Sequence, residues 1–138
     1  MWTWIGIAGV LLIVLTGAAW ALRGEPSPEA IASLPGEVSV DQAYQLYQEG
    51  TFVLDVRTPQ EWDEYHAPDT TLIPLDELER RVEELPRDQE IVVVCRSGNR
   101  SQVGRDILRQ AGFEQVTSMA GGLKAWGAAG YPLVGSTP

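Results

Sequence analysis

Ile91-Val92-Val93-Val94-Cys95-Arg96-Ser97-Gly98-Asn99-Arg100 is the stretch on which the reading of this chain turns. Four β-formers in a row predict a strand. The apolar spacing from Ser101 to Ala111 predicts a helix. The only cysteine stands at the junction. A strand that ends in a thiol, followed by a short loop and a helix N-terminus, stabilises a thiolate. Successive loop N–H groups converge as an anion nest, and the helix dipole adds partial positive charge. Arg96 and Arg100 add whole charges. Each of these favours S⁻ over SH and lowers the thiol pKa. Cys95 is therefore the candidate nucleophile and Arg96 a candidate anion-binding group. Gly98 marks a conformation or close approach that a side chain would block. Ser97 and Asn99 line the loop, with their backbone N–H groups as the useful part. Arg100 stands open between anion binding and pairing with a nearby carboxylate.

Working outward, strands and helices alternate. Glu37 to Val40 reads as a short strand. Ser39 with Gln42 forms a capping-box pattern, and Gly50 stands where a helix would end. Between them Ala43, Leu46 and Tyr47 share one helical face. Phe52 to Val56 is apolar except for Asp55, as in a central parallel strand. Thr58 to Tyr65 is a short helix with Pro59 in its first turn, and Thr71 to Ile73 a strand. Leu75, Leu78, Val82 and Leu85 step by helical intervals. Val103, Ile107, Leu108 and Ala111 make the apolar face of the helix after Cys95, which Gly112 ends. Gln115 to Met119 is the last strand and Gly122 to Ala128 the last helix. Strands separated by helices imply a doubly wound α/β fold with a mainly parallel sheet of about five strands. In such folds ligands bind beyond the carboxyl ends of the strands, where Cys95 falls.

Asp55 and Arg57 at a strand end read as loop-organising residues, with Arg57 and Glu61 as a supporting pair. His66 is the only histidine and has no acidic partner at a recognisable spacing, so no metal site is expected. Trp62 and Trp126 read as packing the core edges. The carboxylates from Asp76 to Glu84 read as a solvated helix face paired internally with Arg80 and Arg81.

The 138 residues suffice for one compact domain. Residues 2–22 hold no charge, and a helix of that length spans about 31 Å, close to a bilayer core of about 30 Å. Trp2, Trp4 and Trp20 stand where an aromatic belt belongs. The expected organisation is a transmembrane anchor over 1–23, a Pro- and Gly-rich linker over 24–36, and the α/β domain over 37–138. Ala19-Trp20-Ala21 offers a cleavage-site pattern, but no basic residue precedes the apolar run, as a signal peptide would want. Arg23 alone flanks the span, and the positive-inside rule then places the domain in the cytoplasm. A lone thiol suits that reducing compartment.

Residues 24–138 hold nine basic and all nineteen acidic residues, a net charge of −10. That excludes a nucleic-acid face, which needs clustered Lys and Arg, and disfavours docking on anionic lipid.

Cys95-Arg96-Ser97-Gly98-Asn99-Arg100 resembles the active-site loop of the rhodanese-like sulfurtransferases. Three more stretches resemble that family in the expected order: Asp55-Val56-Arg57 with Glu61-Trp62, Ile73-Pro74, and Gly121-Gly122-Leu123-Lys124-Ala125-Trp126. The likeness runs from about Val38 to Leu133. One segment departs from it. The family usually has Gly-His-Ile-x-Gly-Ala where this chain has Tyr65-His66-Ala67-Pro68-Asp69-Thr70, so two glycines are lost. The resemblance implies a sulfurtransferase that moves sulfur from a thiosulfate-like donor through a Cys95 persulfide to a thiol or cyanide-like acceptor, with no metal or organic cofactor. Cys-x4-Arg is one residue shorter than the Cys-x5-Arg loop of related phosphatase and arsenate-reducing folds. The shorter cradle suits a single sulfur atom rather than a tetrahedral oxyanion. A rival from another class is a membrane-tethered persulfide relay or docking module serving a membrane-protein partner.

Overall fold

The structure, a computed structural model, describes residues 33–136. The expected anchor over 2–22 and most of the linker lie outside them. Among the described residues no helix is long and apolar enough to cross a membrane.

Five strands form one parallel sheet in the order β1-β6-β5-β2-β4. They are β1 (Glu37–Val38), β2 (Phe52–Asp55), β4 (Thr71–Leu72), β5 (Ile91–Val94) and β6 (Val116–Met119). The helices are α1 (Val40–Gln48), α2 (Pro59–Glu64), α3 (Leu75–Arg81), α4 (Asn99–Gln110) and α5 (Gly122–Ala128). β5 is buried along its whole length because it is the centre of the sheet. Its side chains alternate between two cores, as the period of a strand requires. Ile91 and Val93 join Leu54, Leu78 and Leu108. Val92 and Val94 join Val53, Met119, Leu123 and Trp126. Both faces are therefore covered, and the doubly wound expectation holds.

Several boundaries move for physical reasons. Val40 opens α1 rather than closing β1, since the Ser39 cap fixes the helix start: its hydroxyl accepts the Gln42 N–H at 3.2 Å, and the Gln42 side chain returns the bond at 3.0 Å. α3 stops at Arg81; Val82 opens a 3-10 turn over Val82–Glu84, and Leu85 follows it in an extended conformation. In α4 the expected apolar face is wrong at one position. Val103 is 50% exposed, and Gly104 meets the sheet instead. A Cβ there would stand 3.1 Å from Val93 and 3.3 Å from Val56. The missing side chain lets α4 approach β5 closely, a contact that apolar periodicity does not register.

A two-stranded antiparallel pair, β3 (Tyr65–His66) with β7 (Val134–Gly135), was not anticipated. It ties the chain end to the segment that departs from the resemblance. That segment turns well without its glycines. Tyr65 is extended and needs none. Asp69 adopts φ 56°, a left-handed conformation that a short polar residue tolerates. The Thr70 hydroxyl donates to the Ala67 carbonyl at 2.7 Å, and the Tyr47 hydroxyl to the Pro68 carbonyl at 3.0 Å.

Candidate active site

The carboxyl ends of β5 and β2 lie side by side, with Asp55 in register with Val94. Cys95 follows Val94 directly and is only 1% exposed. The chain then turns through Arg96 and Ser97 to Gly98, whose φ of 105° is left-handed, and enters α4 at Asn99. α4 thus begins two residues earlier than its apolar pattern suggests. The loop proper is short, and the Gly98 N–H donates to the Cys95 Sγ at 3.1 Å.

The cradle has a second wall. The Leu123 N–H donates to the Cys95 carbonyl at 2.8 Å, and the Lys124 N–H to the Arg96 carbonyl at 3.1 Å. The first turn of α5 therefore draws those carbonyls away from the thiol and leaves the N–H groups facing it. This approach requires glycine. A Cβ on Gly122 would lie 2.3 Å from the Arg96 carbonyl. A Cβ on Gly98 would lie 3.0 Å from the Gly121 nitrogen.

Ser101 belongs to the site and was missed. It is fully buried. Its hydroxyl donates to the Gly98 carbonyl at 3.0 Å and accepts from the Cys95 thiol at 3.6 Å. Its position three residues after Gly98, in the first turn of α4, was the available signal, because serine there folds back onto the preceding turn. Burial pushes the thiol pKa up. The Ser101 hydroxyl and the backbone N–H groups of Ser101, Gly98 and Ser97 hold it down, and the net direction is down. The expected lowering is present, but hydrogen bonds dominate it where the flanking arginine charges were expected to contribute.

The arginines have different duties. Arg100 forms a bidentate pair with Glu61, both contacts at 2.7 Å. Arg100 thus has the nearby carboxylate of one of its two readings, and the Glu61 carboxylate meets Arg100 where Arg57 was expected. Arg57 is fully buried and bonds instead to Asp55, Nη2 to Oδ2 at 2.8 Å. Its remaining donors reach the backbone carbonyls of Glu61 at 3.2 Å and Tyr65 at 2.8 Å. Hydrogen bonding to Arg100, chiefly, lowers the Glu61 pKa to about 2 against the opposing effect of burial. Arg96, Ser97 and Asn99 are exposed around the mouth. His66 stacks on Trp62, ring centroids 4.0 Å apart, and its Nδ1 bonds to the Trp62 carbonyl at 3.0 Å. Both residues are half-buried; Trp62 stacks on His66 and joins neither hydrophobic core, while Trp126, also expected at a core edge, is fully buried within one.

The site is thus a buried thiol of lowered pKa, in a backbone cradle at the carboxyl edge of the parallel sheet of an α/β domain. A family model of the rhodanese-like domain matches residues 39–129, and the chain belongs to that family. A Bacillus subtilis protein named as a candidate sulfur carrier, YrkF, is 35% identical over 105 residues, covering 75% of this chain but only 56% of that protein. The thiosulfate sulfurtransferase GlpE of Pseudomonas syringae is 35% identical over 86 residues, 62% of this chain and 81% of its own length. A rhodanese-related protein of Thermoplasma volcanium, known as a crystal structure, superposes with a TM-score of 0.68 at 31% identity, covering 72% of this chain and 98% of its own.

Proposed function

We propose that the domain is a sulfurtransferase working through a Cys95 persulfide, with thiosulfate or a similar donor. The observation that carries this reading is the bond from the Gly98 N–H to a thiol already lowered in pKa. The Cys95 thiolate attacks the outer sulfur of thiosulfate. A new S–S bond forms, the old one breaks, and its electron pair leaves with sulfite. The charge stays balanced, because the persulfide Cys95-S-S⁻ carries the negative charge the thiolate brought. The loop N–H groups then face the terminal sulfur, and preorganised donors stabilise charge without rearranging. A thiol or cyanide-like acceptor attacks that sulfur and frees the thiolate. Two half-reactions through a covalent intermediate give ping-pong kinetics. Incubation with thiosulfate should add one sulfur atom to the intact mass of the protein, and a Cys95→Ser variant should gain none. Wild-type protein that gains no sulfur would reject this reading.

Residues 2–22 fit a single-pass anchor that contacts membrane lipid, with the domain on the cytoplasmic side. The support is their length, their lack of charge and the flanking Arg23. A membrane-protein partner, for which the domain would relay sulfur, is compatible with such an anchor. The Bacillus subtilis relative named for sulfur carriage favours that second reading. Capture of a membrane protein by the full chain, lost when residues 2–22 are replaced by an unrelated span, would separate relay from free turnover.

A further inference from the structure

Helix N-termini in this domain divide into two kinds. α1, α2 and α3 carry acids in the first turn, Asp41, Glu61 and Asp76 with Glu77, the sign that the helix dipole favours. α4 and α5, whose starts flank the Cys95 loop, carry none. They place cations there instead, Arg100 and Lys124. Lys124 is the only lysine of the chain and sits where the dipole opposes it. In a domain with nine basic and seventeen acidic residues over 37–138, a net charge of −8, two cations collected at one mouth are out of keeping with the rest of the surface.

The charge of Arg100 is matched by Glu61. Among the described residues Arg96 and Lys124 enter no salt bridge and no side-chain hydrogen bond, and both are exposed. They are neighbours across the loop, since the Lys124 N–H bonds to the Arg96 carbonyl. Side chains on a helix lean toward its N-terminus, and the N-terminus of α5 is the end that bonds to the Cys95 loop.

We propose that Arg96 and Lys124 form a two-cation rim that selects sulfur donors by charge, preferring a doubly charged sulfur oxyanion to a singly charged one, with Lys124 as the specificity-determining residue. The proposal rests on the sulfurtransferase reading. The acidic domain as a whole repels a dianion. Two unpaired cations reverse that field locally and concentrate the donor at the mouth. The near-sealed thiol admits the outer sulfur, while the charged end of the donor stays outside with the rim.

The test compares thiosulfate, a dianion, with methanethiosulfonate, a monoanion, on the full chain. Alkylation by neutral iodoacetamide reports the thiol and its loop. Lys124→Gln should raise KM for thiosulfate about five-fold, the upper range for an exposed charge contact. It should raise KM for methanethiosulfonate less, leave kcat nearly unchanged, and not alter the alkylation rate. Lys124→Arg should restore the preference. Equal KM changes for the two donors, no change for either, or slowed alkylation in Lys124→Gln would overturn the rim. If wild-type protein accepts sulfur from neither donor, the sulfurtransferase reading fails and the rim with it. If wild type transfers sulfur and the variant shows no charge dependence, only the rim fails.

Discussion

At the scale of single residues, Cys95 and Ser101 act as a unit. When the thiol is protonated, its S–H donates to the Ser101 oxygen while that hydroxyl donates to Gly98. When the thiolate forms, the hydroxyl is free to turn and donate to sulfur. Ser101→Ala removes this donor and leaves burial, which pushes the thiol up, less opposed. Its iodoacetamide reactivity should titrate at higher pH than that of wild type. Wild type should titrate below an ordinary cysteine's value of about 8.5. Coincident curves would mean that the backbone alone sets the thiol. Glu61 gives a second test. Its folded pKa of about 2 lies below the ordinary 4.5, so its pairing with Arg100 stabilises the fold above 4.5. That contribution fades as pH falls from there toward 2. Denaturant midpoints of Glu61→Gln should sit below those of wild type at neutral pH. The gap should narrow through that acid window, and a gap independent of pH would contradict the linkage.

At the scale of elements, two junctions hold the site in shape. One is the docking of α5 on the loop, which depends on Gly122. Gly122→Ala places a methyl group against the Arg96 carbonyl in a left-handed backbone. The loop must move, and the expected cost is roughly 1–3 kcal/mol of backbone strain. Stability falls, and the thiol loses its lowered pKa at the same time. A variant that keeps wild-type thiol titration would show that α5 does not aim the loop. The other junction is Arg57, which ties Asp55 at the end of β2 to the carbonyls on either side of the α2 end. Arg57→Met leaves the Asp55 carboxylate buried without its partner, at a cost of about 3–5 kcal/mol. Urea unfolding measures the loss. The role is structural, so the surviving folded fraction should keep wild-type thiol titration.

At the scale of the molecule, an acidic domain places its reactive centre where strand ends, helix starts and glycines meet. Five parallel strands put their carboxyl ends on one edge, and both cores back that edge. The proposed anchor adds a prediction at this scale. Protease added to intact cells should leave the domain uncut, and lysis should expose it. Digestion in intact cells would place the domain outside.

Periodicity and punctuation in the sequence were enough for the doubly wound class, for most elements, and for Cys95 at a strand end. These are local properties: apolar runs and helical spacing, a capping box at Ser39 and a glycine after a helix act over a few residues, wherever the rest of the chain lies. Tertiary structure alone decided where the Glu61 carboxylate goes. Arg57 and Glu61 are four residues apart and looked like partners, yet Glu61 reaches Arg100, thirty-nine residues away, because two parallel strands bring α2 beside the loop. The same holds for Gly104 and Val103, for the β3–β7 pair and for the seat of α5 on Cys95. Each rests on a close approach between segments distant in sequence, and hydrophobic patterning carries no record of how near two backbones will come.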